Sequence, residues 1–137
     1  MKKLKKVYLT HCSAKKDTSL VDNPKKVQPM NLYTKTPTKR FMNRCQSVGV
    51  NWAIFSDKYG IWHSGIRHEW YEKNPNSISD KEFKALLNNF GKSLSKFDEI
   101  CFYYNPGRFH RVYKKLIKSS SLKNRIKPFT HIKDIRK

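Results

Sequence analysis

The sequence predicts an α/β domain in three layers, with a mostly parallel four-stranded sheet and helices on both of its faces. Three short apolar runs, at residues 6–11, 51–55 and 99–104, have the length and composition of buried strands. Segments with the periodicity of amphipathic helices separate them. This alternation is typical of a parallel sheet, and right-handed crossovers place the loops after the three strands at one edge.

The first half of the chain contains two strands, one helix and two irregular stretches. Residues 13–33 follow the first strand without any hydrophobic periodicity. Thr36 followed by Pro37 then predicts an N-cap and a helix over residues 37–47, which Gly49 ends. Residues 56–76, after the second strand, are expected to be irregular, with a short helical turn near residues 68–72.

The second half contains the most regular pattern in the chain. Ser79 and Glu82 have the spacing of a capping box, and the apolar residues from Phe83 to Phe97 follow helical spacing. Another amphipathic helix follows the third strand. Residues 128–132 are expected to form a fourth, edge strand that begins at a proline, where a missing donor is tolerated. Residues 1–132 would form one domain, followed by a frayed basic tail at 133–137.

Positive charge dominates the composition, with 30 Lys and Arg against 10 Asp and Glu and a formal net charge of +20. Such an excess favours polyanionic partners. Nucleic acid, DNA or RNA, is the most direct choice, because phosphates neutralised by Lys and Arg release counterions. A solvated basic surface is the alternative, and an anionic membrane surface is a minor third choice.

The cysteines are Cys12, Cys45 and Cys101, which are far apart and have no paired spacing. This pattern favours a reducing, cytoplasmic setting and gives no reason to expect a zinc site or a cofactor. The basic start of the chain is not followed by an apolar stretch, and no segment approaches the ~18 apolar residues of a membrane span. Oligomeric state is left open.

The loop after the first strand offers a hydroxyl, two ammonium groups and a carboxylate. Ser13 and the loop amides predict a phosphate site, with Lys15 or Lys16 as the counter-charge. Asp17 is a candidate general base that could orient a water molecule. Cys12 is a candidate contact to the substrate, and the alternative is a small buried residue.

The loop after the second strand repeats this plan in residues 56–60. Ser56 is a candidate base contact, Asp57 a second candidate general base and Lys58 a phosphate contact, unless Asp57 and Lys58 simply pair with each other. Gly60 permits a left-handed turn or the close approach of a ligand.

Aromatic and basic residues extend the candidate site. Tyr33, Tyr59 and Tyr71 are predicted to frame a base-sized pocket, because rings stack on bases; alternatively they fill the core beneath long loops. Arg108 and Arg111 are candidate phosphate contacts. They belong to a segment with seven basic residues and no acidic ones between positions 108 and 125, which favours a phosphate track over a solvated face.

These motifs resemble those of a family of small bacterial, archaeal and viral proteins. That family shares a Cys-Ser-x-x-Lys loop, a Leu-Tyr pair before the first helix and a Trp-x-Ile-x-Ser-Ala-Lys-Tyr-Gly-Leu segment, which correspond to residues 12–16, 32–33 and 52–61. The first loop also resembles one in the lysine-adding domain of archaeosine synthase. The whole pattern is similar to the peroxide-stress DNA-binding family.

The resemblance covers about residues 6–72 and implies an α/β fold like that of uracil-DNA glycosylases. Asp57 stands where the family usually has Ala. The family often has an Ile-x-Pro-Tyr-like segment soon after, which corresponds to residues 66–71, and here Trp70 replaces the proline before Tyr71.

Three functions are compatible with the sequence. The first is binding of nucleic acid at a basic edge that has a base-sized pocket. The second is an enzyme acting on a nucleobase or an N-glycosidic bond, in which Asp17 or Asp57 activates water while Ser13 and Ser56 hold the base. The third is a non-catalytic basic protein that docks on an acidic protein partner.

Overall fold

A five-stranded mixed sheet forms the centre of the protein. The computed structural model describes residues 5–12, 16–22, 25–71, 77–103 and 111–137. The strands are β1 (Lys6–His11), β2 (Trp52–Ser56), β3 (Gly60–His63), β4 (Glu99–Tyr103) and β5 (Ile126–Phe129), in the order β3-β2-β1-β4-β5. All neighbouring strands are parallel except β2 and β3, which are antiparallel.

Five α-helices accompany the sheet in the described part of the chain. They are α1 (Ser19–Asp22), α2 (Pro29–Leu32), α3 (Thr36–Val48), α4 (Asp80–Leu94) and α5 (Arg111–Ser119). Short 3₁₀ turns lie at Lys123–Arg125 and Ile132–Asp134. No helix in the described ranges is long and apolar enough to cross a membrane.

Helices cover both faces of the sheet, as the sequence predicts. Phe41 of α3 packs edge-on against Trp52 and stacks on Tyr103. Phe55 contacts Phe90 of α4 and Tyr113 of α5. Trp52 and Phe55 point to opposite faces because side chains alternate along a strand. The α/β class and the three layers are therefore confirmed.

The expected count of four strands is wrong, because residues 60–63, which were expected to be irregular, form an additional strand, β3; three of the four neighbouring strand pairs are parallel. A tight turn at residues 57–59 leads into Gly60, whose φ of +75° suits glycine, and the chain returns antiparallel to β2. Ile61 and Trp62 become buried as a result. The helical turn expected near residues 68–72 is also wrong over 68–71, where His68 forms an isolated bridge with Val27.

The longer helices match their predicted positions, with small differences at the ends. Ser79 Oγ accepts a hydrogen bond from the Glu82 N–H at 3.2 Å, and Glu82 Oε1 accepts one from the Ser79 N–H at 3.2 Å, so the capping box is confirmed. The α4 helix ends before Phe97, which is nevertheless buried. The N-cap of α3 is Lys35 rather than Thr36, and it makes no side-chain capping bond.

The C-terminal residues are packed, so the expected fraying is wrong. Strand β5 begins two residues before Pro128, which lies inside it, and β5 is an edge strand as predicted. Ile135 is fully buried, and its carbonyl accepts a hydrogen bond from Arg44 Nε at 3.1 Å. The Tyr8 hydroxyl donates to the carbonyl of Arg136 at 2.9 Å. These contacts hold the end of the chain against α3 and β1.

Candidate functional site

The carboxyl ends of β1, β2 and β4 meet at one edge of the sheet, because these strands are mutually parallel. From β1 the chain passes through α3 to β2 on one side, whereas α4 leads to β4 on the other. Open α/β sheets bind ligands where connections diverge in this way, outside the carboxyl ends of the strands.

Six polar side chains from this edge form what we call the buried polar cluster. Cys12 follows β1, Ser56 ends β2 and Asp57 follows it, and Tyr113 projects from α5. Each member is at most 8% exposed; the cluster comprises Cys12, Tyr33, Ser56, Asp57, Tyr71 and Tyr113. The predicted convergence of the first two loops is therefore present in the structure.

Hydroxyl groups connect one half of the cluster. The Tyr33 and Tyr71 hydroxyl oxygens lie 2.5 Å apart, and Ser56 Oγ donates to the Tyr71 hydroxyl at 3.1 Å. Ser56 Oγ also accepts from the backbone N–H groups of Lys58 and Tyr59, at 3.1 and 3.0 Å. Ser56 thus fixes the turn after β2, and neither Tyr33 nor Tyr71 opens onto solvent.

Cys12 occupies the other half of the cluster. Its Sγ lies 3.0 Å from the Tyr113 hydroxyl and donates to Asp57 Oδ1 at 3.6 Å. Burial, reinforced by the Asp57 charge, raises the pKa of the Cys12 thiol to about 11. Burial likewise raises the pKa values of Tyr71 and Tyr113. At neutral pH these groups stay protonated, so Cys12 is a poor nucleophile.

Lys16 covers this cluster from the side of the first loop. It is only 9% exposed, its Nζ lies 4.4 Å from the centroid of the Tyr71 ring, and its backbone bridges to Tyr33. Lys58, by contrast, is exposed on the turn after β2. Phosphate contact by either lysine stays a prediction.

The two candidate general bases lie in different surroundings. Asp17 Oδ1 accepts hydrogen bonds from the Ser19 hydroxyl at 2.7 Å and the Ser19 N–H at 3.0 Å, and these bonds lower the pKa of Asp17. Asp17 therefore caps the start of α1, whereas Asp57 belongs to the buried cluster. Ser13, Lys15 and Arg108 lie outside the described residues.

An open cleft of about 260 Å³ lies on the α4 side of the same edge. One wall is the turn from Asp57 to Gly60, and the other consists of the α4 residues Glu82, Ala85, Leu86 and Asn89. The sequence did not reveal the α4 wall, because these residues also fit an ordinary amphipathic helix. We refer to this space as the turn–α4 cleft.

Gly60 brings the two walls of the turn–α4 cleft together. Asn89 Oδ1 accepts a hydrogen bond from the Ile61 N–H at 2.7 Å. A Cβ atom at Gly60 would lie 2.3 Å from the same oxygen. The left-handed turn that the sequence permits at Gly60 is present in the structure. The group that comes close to Gly60 is the Asn89 side chain of α4.

Tyr59 is the half-buried member of the three predicted pocket tyrosines and borders this cleft. Its ring stacks on His68, with centroids 3.9 Å apart and planes 4° apart, and its hydroxyl donates to the Glu69 carbonyl at 3.1 Å. Tyr59 is therefore held in place by contacts on two sides.

Helix α5 carries a basic stripe that begins near the buried polar cluster. Its members, spaced at i, i+3, i+4 and i+7, are exposed and share one side of the helix: Arg111, Lys114, Lys115 and Lys118. Tyr113 and Leu116 form the buried side. Because Tyr113 contacts Cys12, the α5 stripe starts at the carboxyl edge and leads away from it.

Within the described ranges, no three His, Cys, Asp or Glu side chains are grouped as metal ligands would be. Comparison with protein-family models, curated proteins and solved structures finds no significant match to this chain. The resemblance to uracil-DNA-glycosylase-like proteins accordingly stays a prediction from motifs.

Proposed function

We propose that the protein binds nucleic acid along the α5 stripe and holds one base in the turn–α4 cleft. The observation that carries this proposal is the α5 stripe, which lies beside the carboxyl edge in a chain with a net charge of +20. Lys115 Nζ of the stripe lies 4.8 Å from the centroid of the Phe83 ring on α4, next in sequence to Glu82 of the cleft. Phosphates along the stripe would therefore place an attached base near the cleft.

A basic stripe of this kind is unfavourable for a helix on its own. Like charges at i, i+4 destabilise a helix by about 0.2–0.5 kcal/mol per pair. No Asp or Glu occurs between residues 111 and 133. Surfaces that serve only solubility usually mix both signs of charge. Bound phosphates would offset the repulsion within the stripe.

Binding to single-stranded DNA, duplex DNA and RNA across a salt series tests the proposal. The logarithm of the affinity should fall linearly with the logarithm of the salt concentration. Replacing Lys114 and Lys118 by Gln should lower the magnitude of that slope by roughly 1.4–1.8, because each lost phosphate contact contributes about 0.7–0.9.

A matched control removes the same charge at the opposite edge. Lys5 precedes β1 and Lys137 lies beside Gly49 at the end of α3, so Lys5→Gln with Lys137→Gln should change the slope much less. Equal losses in the two double variants would mean that only the overall charge matters. Two results would favour a protein partner instead. One is binding that does not depend on salt, and the other is capture of an acidic protein that persists after nuclease treatment.

An enzyme acting on a nucleobase or N-glycosidic bond is the second candidate. One observation favours it: Asp57 is 3% exposed, yet it lines the open turn–α4 cleft. A carboxylate beside a bound base could activate water. Base release from modified oligonucleotides should then be lost in Asp57→Asn and kept in Asp17→Asn, since Asp17 is bound to Ser19. Full activity of the Asp57→Asn protein would remove this candidate.

A further inference from the structure

We propose that the outer face of the His68 ring is a stacking platform for an unpaired nucleobase, so that the partner of this protein is a single strand rather than a duplex. This inference rests on the proposed function and names the form of nucleic acid that it takes. It follows from the stack of His68 on Tyr59, from the open face of the imidazole ring and from the positive charge around it. We call the two stacked rings the Tyr59–His68 pair.

The Tyr59–His68 pair is stacked face to face. The ring centroids lie 3.9 Å apart and the planes differ by only 4°. Most aromatic pairs in proteins are offset or edge-to-face, and the contacts of Tyr59 with Trp62 and Tyr71 are edge-to-face. A nucleobase placed on the outer side of His68 would continue the parallel stack, because every base has a flat π-face.

The outer face of His68, opposite Tyr59, is not covered by another described ring. Trp62 also contacts His68, with centroids 4.8 Å apart and planes at 69°, and it lies 5.6 Å from the Tyr59 centroid. A ring on the outer face would be much farther from Tyr59 than from His68, so Trp62 contacts the edges of the pair. The His68 side chain is half-buried, and its imidazole nitrogens form no hydrogen bond within the described part of the chain.

Hydrogen bonds hold both rings of the pair in place. The His68 N–H donates to the Val27 carbonyl at 2.9 Å, and the Val27 N–H donates to the His68 carbonyl at 2.9 Å. The Tyr59 hydroxyl donates to the Glu69 carbonyl at 3.1 Å. A ring that is fixed before binding loses little conformational freedom when a base stacks on it, which favours affinity.

Positive charge surrounds the Tyr59–His68 pair. Residues 25–28 and 58–71, which contain the pair and its backbone partner, include four Lys and Arg and one acidic residue. Lys26 and Arg67 are exposed, and Lys58 Nζ lies 5.7 Å from the centroid of the Tyr59 ring. Sites for single strands combine such cations, which contact phosphates, with rings that stack on bases.

His68 itself contributes a ring rather than a charge. Burial and, to a smaller extent, the charge of Lys26 lower the pKa of His68, so the imidazole is neutral at pH 7.5. A neutral ring forms no ion pair with a phosphate. Stacking is therefore the contact that His68 offers to a nucleic acid.

The Tyr59–His68 pair adjoins the turn–α4 cleft, because Tyr59 lies on the turn that forms one wall of the cleft. A strand that crosses this turn would place one base in the cleft and a neighbouring base on His68. Both contacts need bases with open faces. In a duplex the neighbouring pairs cover those faces, and taking a base out of the stack is costly.

Binding of oligo(dT), of an abasic strand of the same length and of a duplex of the same length tests the inference. The parent protein should bind oligo(dT) more tightly than the abasic strand, which has the same phosphates, and more tightly than the duplex, which has twice as many. In His68→Ala the affinity for oligo(dT) should fall by roughly 5- to 150-fold, the effect of losing one stacked base, and the affinity for the abasic strand should change little. His68→Phe keeps a flat ring and should restore most of the lost affinity.

His131→Ala is the matched control, since His131 is exposed just after β5, at the opposite end of the sheet from β3. This variant should bind oligo(dT) like the parent protein. NMR of the parent protein gives a second measurement that needs no stable variant. The ring-proton signals of His68 should move upfield when oligo(dT) binds, because a stacked base shields them, and those of His131 should not.

Three results would overturn this inference while a steep salt slope leaves the proposed function standing. The first is an unchanged affinity of His68→Ala for oligo(dT) without an upfield shift of the His68 signals. The second is an equal loss for oligo(dT) and the abasic strand, and the third is tighter binding of the duplex by the parent protein. Absence of salt-dependent binding to every oligonucleotide would overturn both proposals.

Discussion

Gly60→Ala adds a side chain at the point where the two walls of the cleft approach each other. Gly60 has a φ of +75°, a conformation that costs a residue with a Cβ about 1–2 kcal/mol. The new Cβ would also lie 2.3 Å from Asn89 Oδ1 and 2.6 Å from its Cγ, so Asn89 must move. That movement breaks its bond to the Ile61 N–H.

The expected loss of stability follows from these contacts. Leaving the Ile61 N–H unpaired costs about 1–3 kcal/mol. Alanine also restricts the unfolded chain, which offsets about 0.4–1 kcal/mol. The free energy of unfolding should therefore fall by roughly 1–5 kcal/mol, which urea denaturation followed by circular dichroism resolves readily.

Two further variants make this reasoning refutable. Gly91 lies inside α4, and a Cβ atom at this position would have no neighbour within 4 Å, so Gly91→Ala should stabilise the protein by up to about 1 kcal/mol. In an Asn89→Ala background the clashing atoms are gone, and Gly60→Ala should cost only its backbone strain. An equal cost of Gly60→Ala in both backgrounds, or no cost at all, would refute the clash with Asn89.

Three other predictions concern buried groups. Burial raises the pKa values of Cys12 and Cys101 to about 11 and that of Cys45 to about 12, so at pH 8 only on the order of 0.1% or less of each thiol is ionised. Ellman's reagent should therefore react slowly with the folded protein and promptly in guanidinium, and prompt reaction without denaturant would contradict this burial. Burial lowers the pKa of His11, so the unfolded chain takes up the proton first as the pH falls below about 6.5. The free energy of unfolding should then decrease toward acid, less steeply in His11→Gln; an equal slope would refute this contribution. Tyr71→Phe should cost about 1–3 kcal/mol in urea denaturation, because Tyr33 loses its hydroxyl partner. The double variant Tyr71→Phe with Tyr33→Phe should lose less unfolding free energy than the sum of the losses in the two single variants. A loss equal to that sum would argue against coupling between the two hydroxyl groups.

Elements set by local patterns could be predicted from the sequence. The bounds of β1 agree residue for residue, because a short apolar run flanked by polar residues defines it. Helix α4 was predicted from apolar spacing and the capping box at Ser79, both of which operate within a few residues. Such signals need no information about the rest of the fold.

Elements that depend on distant partners could not be predicted. Strand β3 has only four residues, and its pairing with β2 requires the turn geometry at Gly60. Ile135 is buried because Arg44 and Tyr8, far away in the sequence, anchor the residues around it. A lysine-rich ending without these partners has the composition of a frayed tail.

The same distinction applies to the candidate site. Parallel topology predicts that Cys12 and Asp57 approach each other, and their side chains lie 3.6 Å apart. The packing of Tyr33 and Tyr71 determines which part of that edge is closed. The open part is a cleft whose second wall is formed by α4. The loop motifs therefore predict that the site lies at the carboxyl edge of the sheet, but they do not predict the turn–α4 cleft.

Asp57 belongs to both parts of this edge, and a variant at this position distinguishes the two proposed functions. Its carboxylate accepts a hydrogen bond from the Cys12 thiol on the closed side, and the residue is also part of the turn that lines the turn–α4 cleft on the open side. If the protein only binds nucleic acid, Asp57→Asn should leave the salt slope unchanged, and neither the parent protein nor the variant should release a base. If the protein is an enzyme, the same change should abolish base release while the oligonucleotide still binds. One variant, assayed for binding and for turnover, therefore distinguishes recognition from chemistry at the same carboxylate.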